Sequence, residues 1–260
     1  MAPAGTYRMI SARVSPMVEL ARWMFERHDL PYREEAHAPM LHALATLAVG
    51  GGVEVPAVVT PDGAVWKGAR ETLAGVDAAG PPGRRLYGET PEERAANQAL
   101  TEALLNRLLQ QVRRFVYHQL LPYRRTLLPT VIHRAPPWER AFVTWLYPVW
   151  RLMMVRGLRF TPELLAAAPV QIEEALALVE AELQRRGTPF LAGAEPGSLD
   201  VIFSALAGPL VFPPNYGARL PPVDELPAGL KAFVIATRAR PAGKLVQRTY
   251  DACRHPVGAD

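Results

Sequence analysis

The spacing of apolar residues divides the chain into a mixed N-terminal part and a helical remainder. In the N-terminal part, short apolar runs of strand length alternate with segments whose apolar residues recur every three or four positions, as on one face of a helix. Ser15-Pro16 is a strong helix start, because proline tolerates the first helical position. Pro61-Asp62-Gly63 is typical of a turn between antiparallel strands. The predicted strands are Tyr7–Ser11, Tyr32–Ala36, Pro56–Thr60 and Ala64–Trp66, and the predicted helices are Pro16–His28, Pro39–Val49 and Gly68–Ala79.

Strand signals nearly vanish after the linker-like segment Gly80–Gly88, which contains Pro81-Pro82-Gly83. Thr90-Pro91-Glu92-Glu93 has the pattern of a capping box and predicts a helix running to about Leu121. The sequence therefore predicts an α/β domain over residues 1–82 and an all-helical domain over residues 90–260. The later predicted helices are Pro137–Arg156, Pro162–Arg186, Ser198–Val211, Pro227–Arg238 and Ala242–His255.

Composition excludes several classes of protein. With 49% hydrophobic and 21% charged residues, the chain is not of the disordered class. The longest apolar stretch, Ala141–Val155, is interrupted by Arg151 and is too short for a membrane span, which needs about 20 mostly apolar residues. Met1–Gly5 lacks the features of a signal peptide. The lone Cys253 excludes an internal disulfide, so a cytoplasmic setting is expected.

Charge and histidine placement argue against nucleic-acid and metal sites. The net charge of +4 comes mainly from arginines scattered along the chain, whereas nucleic-acid binders concentrate such charge on one face. We therefore expect no nucleic-acid partner. His118 and His133 have no cysteine or carboxylate at ligand spacing, so no metal site is expected.

Four sequence stretches together resemble the cytosolic glutathione transferase superfamily. In order, they are similar to its serine-type entry into the first helix, its cis-proline strand, the following hairpin strand, and the folding motif that precedes a buried helix. The resemblance implies a thioredoxin-like N-terminal domain followed by an all-α C-terminal domain, glutathione as the cofactor, and a homodimer. The stretches are Ser15–Val18 continuing to Ala21-Arg22, Val55–Val59, Gly63–Trp66, and Pro189–Gly193 with Leu199–Val201.

Ser15 is the catalytic candidate that this resemblance implies. In serine-type relatives the hydroxyl at this position donates a hydrogen bond to the sulfur of glutathione and so favours the reactive thiolate. A helix N-terminus would add to that stabilisation. The alternative is that Ser15 is only an N-cap, whose hydroxyl satisfies a free backbone N–H group.

The resemblance also indicates which residues would contact the rest of glutathione, and at several of these positions this chain differs from the family. The resemblance predicts a cis Val55–Pro56 bond, which would turn the Val55 backbone toward the thiol peptide; the alternative is an ordinary trans proline at the start of a strand. Arg13 is a candidate for an anionic group, although an exposed loop arginine is the commoner case. Where family members place an acid and a serine at the start of the third helix, this chain has Gly68 and Ala69. Arg70 follows and would serve if the register differs.

The acceptor pocket is expected to be large and apolar. Leu108, Val112 and Phe115 are spaced four and three residues apart, so they share one face of a helix. Tyr117 and Tyr123 follow. Any one of these residues is more often part of a core; as a set they predict a bulky hydrophobic small molecule as the ligand.

Two hypotheses about function remain open. The first is a glutathione-dependent enzyme acting on a hydrophobic electrophile by conjugation, isomerisation or reductive removal of a group. The second is a noncatalytic protein of the same fold that binds a hydrophobic ligand and has lost its glutathione site. Ser15 and Pro56 favour the first, and Gly68-Ala69 favours the second. Fold alone does not decide, because one fold hosts many functions.

Overall fold

The computed structural model describes residues 5–80, 86–88 and 90–254. Its four strands are β1 (Tyr7–Ala12), β2 (Tyr32–His37), β3 (Ala57–Val59) and β4 (Val65–Lys67). The helices of the N-terminal part are α1 (Pro16–Arg27), α2 (His42–Ala48) and α3 (Gly68–Ala79). The helices that follow are α4 (Pro91–Leu120), α5 (Arg124–Val131), α6 (Pro137–Trp145), α7 (Tyr147–Gly157), α8 (Pro162–Arg186), α9 (Ser198–Val211), α10 (Ala228–Ala239) and α11 (Pro241–Cys253).

The strands form one mixed sheet in the order β2-β1-β3-β4. Strand β1 runs parallel to β2, with Met9 opposite Glu34, and antiparallel to β3, with Ile10 opposite Ala57. A helix crossover between β1 and β2 and a hairpin between β3 and β4 give the thioredoxin-like arrangement. This sheet and the helices after α3 confirm the predicted fold class.

The described chain divides into two compact units. One comprises the residues up to Leu86 together with Leu128–Gly157, and the other comprises Tyr87–Leu127 and the residues from Leu158 onward. The sequence analysis assigned Leu128–Gly157 to the helical domain, whereas this segment clusters with the α/β part. The boundary expected at residue 82 lies outside the described residues.

Long-range hydrogen bonds explain why α6 and α7 belong to the first unit. The Glu139 carboxylate accepts the Ala38 backbone N–H at 2.6 Å and lies 2.6 Å from Nδ1 of His37. The indole nitrogen of Trp150 donates to the carbonyl of Pro39 at 2.8 Å. Glu139 and Trp150 are both fully buried, so these bonds form in a water-poor environment where an unmade bond is costly.

The structure divides one predicted helix and adds another that was not predicted. The single helix predicted over Pro137–Arg156 is wrong, because it breaks at Leu146 into α6 and α7. Pro148 supplies the reason: it has no N–H group, and its ring clashes with the carbonyl four residues earlier in a continuous helix. The sequence analysis also did not predict α5. The expected end of the last helix, His255, lies outside the described residues.

Helix α9 forms the centre of the second unit. Every one of its residues is buried, as expected for a helix that is apolar on all sides. At its start, the Asp200 carboxylate accepts backbone N–H groups of Leu191, Ala192 and Gly197 at 2.6, 3.1 and 2.9 Å. Asp200 therefore fixes the start of α9 against the segment that precedes it. Among the described helices, none combines the length and apolarity needed to cross a bilayer.

Candidate functional site

Sheet topology brings three predicted site segments to one end of the sheet. Strand β1 ends at Ala12, directly before the Arg13–Ser15 loop. Ala57, the first residue of β3, is paired both with Ile10 and with Lys67, the last residue of β4. The Arg13–Ser15 loop, the Val55–Pro56 peptide and the start of α3 therefore emerge at the same edge.

The Val55–Pro56 peptide bond is cis, as the sequence predicted. Both residues are buried, and the strand pairing begins only at Ala57, so the Val55 backbone lies outside the sheet ladder. The Pro56 carbonyl accepts the backbone N–H of Gly68 at 2.9 Å. This bond fixes the start of α3 against the proline turn.

The Ser15 side chain is buried, and its hydroxyl has no hydrogen-bond partner in the part of the chain that the structure describes. Its backbone is extended, with φ −70° and ψ 130°, and its carbonyl accepts the N–H groups of Val18 and Glu19, both at 3.0 Å. The hydroxyl, in contrast, makes no capping bond and contacts no donor or acceptor among the described residues. The N-cap is thus made by the backbone, and the interpretation of Ser15 as a side-chain cap is not supported.

The location of the Ser15 hydroxyl suits an anionic ligand atom. It lies at the N-terminus of α1, where backbone N–H groups without intrahelical partners carry partial positive charge. A buried hydroxyl with no partner costs free energy, since it has lost its bonds to water. A ligand atom that accepts a hydrogen bond from it would recover that loss.

Arg13 belongs to a buried charge network rather than standing free in a loop. Its guanidinium donates to the Glu34 carboxylate at 2.9 Å, and Arg22 donates to both oxygens of the same carboxylate at 2.9 and 2.7 Å. Arg22 also donates to Glu19 at 2.9 Å, and the Ser11 hydroxyl donates to Glu34 at 2.5 Å. Two arginines and two glutamates therefore balance one another in charge.

The network has a definite effect on the acidity of Glu34. Burial by itself raises the pKa of this carboxyl, but the charges and hydrogen bonds of Arg22 and Arg13, with the Ser11 hydroxyl, outweigh burial and lower it below the ordinary value of 4.5. Glu34 and Glu19 were not identified from the sequence, and Arg22 was noted only as part of the first stretch of the resemblance, without a role. Their contacts depend on the β1–β2 register, which no local motif reports.

The start of α3 offers little side-chain chemistry. Gly68 has a φ of +66°, in the left-handed region that favours glycine, and a Cβ atom added there would lie 2.3 Å from Oε2 of Glu54. The Glu54 carboxylate therefore lies beside the first residue of the helix. Ala69 is half-buried and Arg70 is exposed. An acid at position 68 would adopt a strained backbone and meet a like charge.

The predicted acceptor residues lie in the second unit, mostly in its interior. Leu108 and Val112 on α4 are fully buried, and the Phe115 ring packs on Phe233 with centroids 4.6 Å apart. Tyr117 is half-buried, and Tyr123 is 51% exposed. Their contact with a ligand remains a prediction.

Comparison with known proteins identifies the fold but not a sequence family. By sequence, the chain matches no family model and no curated protein. By structure, it is similar to the beta-etherase LigF from Sphingobium sp. strain SYK-6, with a TM-score of 0.57 and 17% identity over 93% of this chain and 98% of LigF.

Two further solved structures show the same fold. A glutathione S-transferase from Methylobacterium radiotolerans, in complex with glutathione sulfonate, matches with a TM-score of 0.54 and 17% identity over 98% of both chains. Gtt2 from Saccharomyces cerevisiae matches with a TM-score of 0.54 and 15% identity over 93% of this chain and 99% of Gtt2. The chain therefore has the glutathione S-transferase fold.

Proposed function

We propose that the chain is a glutathione-dependent, transferase-like enzyme acting on a bulky hydrophobic electrophile by conjugation, isomerisation or reductive removal of a group. The observation that carries the proposal is the Ser15 hydroxyl, buried at the start of α1 with no hydrogen-bond partner among the described residues. The fold shared with a glutathione S-transferase and a beta-etherase supports it.

The proposed role of Ser15 is to stabilise the thiolate of glutathione. A free thiol has a pKa of about 8.5, and the thiolate is the nucleophile. Lowering that pKa by about 2 units takes about 2.7 kcal/mol of preferential stabilisation. One charge-assisted hydrogen bond together with a helix N-terminus supplies free energy of this size.

The protein backbone, rather than side chains, would make most of the remaining contacts with the glutathione tripeptide. The Val55 backbone lies outside the sheet pairing and is available to an extended peptide. At the start of α3, Ala69 offers only a backbone group, and Arg70, which follows it, is exposed. Arg13 is committed to Glu34, so it would contribute through the network rather than as a free anion receptor.

A second candidate function follows from the α3 end of the site. Gly68 and Ala69 have no hydrogen-bonding side chain, and the Glu54 carboxylate beside Gly68 opposes a ligand carboxylate. Each lost charge-assisted bond costs about 1.5–3 kcal/mol. These features favour a noncatalytic protein of this fold that binds a hydrophobic ligand and has lost glutathione.

Calorimetric titration with glutathione distinguishes the two functions. The enzyme proposal expects binding at millimolar glutathione or below, and turnover of a chlorodinitroarene as a general hydrophobic electrophile. The absence of any heat of binding at millimolar glutathione, alongside a folded protein, would reject the enzyme and favour the noncatalytic function.

A further inference from the structure

Helices α6 and α7 present apolar side chains to the solvent. Trp138 and Trp145 are seven residues apart and so share one face of α6, while Val149 and Leu152 share one face of α7. Trp145 is 82% exposed, and Leu146, Val149 and Leu152 are each nearly half exposed. Exposed large apolar side chains grouped in this way are typical of an interaction surface.

The opposite faces of both helices are already fully packed. On α7, Tyr147, Trp150 and Met154 are buried, and the Tyr147 and Trp150 rings lie 5.5 Å apart. On α6, Glu139 and Val143 are buried, with Glu139 bonded to the residues before α2. The exposed apolar side chains of α6 and α7 are therefore additional to the residues with which these helices pack in the core.

The same two helices carry unneutralised positive charge. The side chains of Arg140, Arg151 and Arg156 are exposed, and none of these side chains forms an ion pair or hydrogen bond with a described residue. Glu139 is the only acidic residue between positions 137 and 157, and it is fully buried. Exposed tryptophan and leucine are thus combined with three cations and no exposed acid of the same segment.

We infer that this surface docks onto an anionic lipid bilayer. Tryptophan is favoured at the depth of the headgroups, and arginine pairs well with their phosphates. The two helices have 9 and 11 residues, which suits helices that lie along the interface rather than cross it. We call this surface the α6–α7 face; it comprises Trp138, Trp145, Leu146, Val149 and Leu152 with Arg140, Arg151 and Arg156.

Charge argues against a second copy of the chain as the occupant. In a two-fold interface the same surface faces itself, so the three arginines would meet three arginines without exposed acids from the same helices. Like charges brought together across an interface oppose association. An anionic bilayer supplies the missing negative charge.

Vesicle cosedimentation with the 260-residue chain tests the inference. We expect the chain to pellet with vesicles of phosphatidylcholine mixed equally with phosphatidylglycerol, and to remain in solution with phosphatidylcholine alone. Trp145→Ser with Leu152→Ser should weaken partitioning by about tenfold or more, because two large apolar side chains no longer enter the interface. Arg151→Gln with Arg156→Gln should also weaken it, by about fivefold for each charge.

A control variant removes two exposed apolar side chains elsewhere. Val170 and Ile235 are 57% and 53% exposed in the second unit, and Val170→Ser with Ile235→Ser should leave partitioning unchanged. Brominated lipids should also quench tryptophan emission of the wild-type protein, a readout that does not depend on any variant folding.

Several results would overturn the inference. One is that the protein does not pellet with anionic vesicles, and another is that it pellets equally with neutral and anionic vesicles. A third is that the control variant Val170→Ser with Ile235→Ser loses as much partitioning as Trp145→Ser with Leu152→Ser. Self-association that depends on Trp145 and Leu152 in the absence of lipid binding would assign the face to a second copy instead.

Discussion

Arg22 binds the Glu34 carboxylate at both of its oxygens, with Nε 2.9 Å from Oε2 and Nη2 2.7 Å from Oε1. The pair is nearly inaccessible to solvent, and Arg13 reaches the same carboxylate from the loop before Ser15. This bidentate pair therefore joins β2 to α1, and both partners contact Arg13 in the loop before Ser15. Its charge state should control both stability and the position of the loop.

Replacing Glu34 by glutamine should lower the free energy of unfolding and should make that free energy less dependent on pH in the acid range. Removing one partner of a buried ion pair costs about 3–5 kcal/mol. Because the folded state lowers the pKa of Glu34 below 4.5, its contribution is fully present above pH 4.5 and is lost as pH falls through the folded pKa. Urea unfolding of wild type and Glu34→Gln across this acid range measures both effects.

Glu195→Gln is a suitable control for this measurement, since Glu195 is exposed and makes no hydrogen bond or ion pair with a described residue. Its unfolding curves should match those of the wild type at each pH. Equal acid sensitivity of wild type and Glu34→Gln would contradict the proposed role of the pair.

Ser15→Ala should reduce turnover far more than it reduces affinity for glutathione. The hydroxyl is proposed to stabilise the thiolate, and loss of one such donor costs about 10²-fold in turnover. Stability should change little, because the hydroxyl makes no capping bond. Steady-state kinetics, glutathione titration and thermal unfolding measure the three quantities separately.

Ser204→Ala is the matched control for Ser15→Ala, since Ser204 is another buried serine whose hydroxyl has no partner among the described residues. It lies in α9 of the second unit and should leave turnover unchanged. Unchanged turnover in Ser15→Ala, alongside clear glutathione binding, would show that another residue activates the thiol; Arg13 and Ser11 would be tested next.

Glu54→Gln should tighten glutathione binding a few-fold. The Glu54 carboxylate lies beside the start of α3, and two like charges about 4 Å apart in water repel by about 1 kcal/mol. Calorimetry at low ionic strength should show the largest gain, and added salt should reduce it. The exposed control Glu195→Gln should bind as the wild type does, and equal affinities for Glu54→Gln and wild type would place the ligand carboxylate elsewhere.

The protein is predicted to be a homodimer, as the resemblance implies and as two-fold symmetry commonly provides in soluble oligomers. Sedimentation equilibrium should then give about twice the chain mass of 28.6 kDa. The Trp145→Ser and Leu152→Ser double variant should remain dimeric, because the α6–α7 face is assigned to lipid. A single-chain mass at micromolar concentration would refute the prediction.

Local chemistry in the sequence was sufficient to predict most elements. Pro162–Arg186, Gly68–Ala79 and Ser198–Val211 have the predicted bounds, and the capping box at Thr90 is present with both of its bonds. Capping, proline placement and apolar periodicity act over a few residues, so they can be read without knowing the fold. The cis bond at Pro56 was predicted from the order of four motifs.

The sequence by itself thus determined the fold class, the order of elements and the identity of Ser15 as the candidate residue. Only the tertiary structure decided that the Ser15 hydroxyl has no hydrogen-bond partner within the described residues, that Arg13 is paired with Glu34, and that α6 and α7 cluster with the α/β unit. Each of these facts depends on residues far apart in sequence. The Arg13–Glu34 pair requires the register of β1 on β2, and Glu139 meets Ala38 across 101 positions. Local patterns such as apolar periodicity and helix caps do not predict these pairings, because they form only when the whole chain packs.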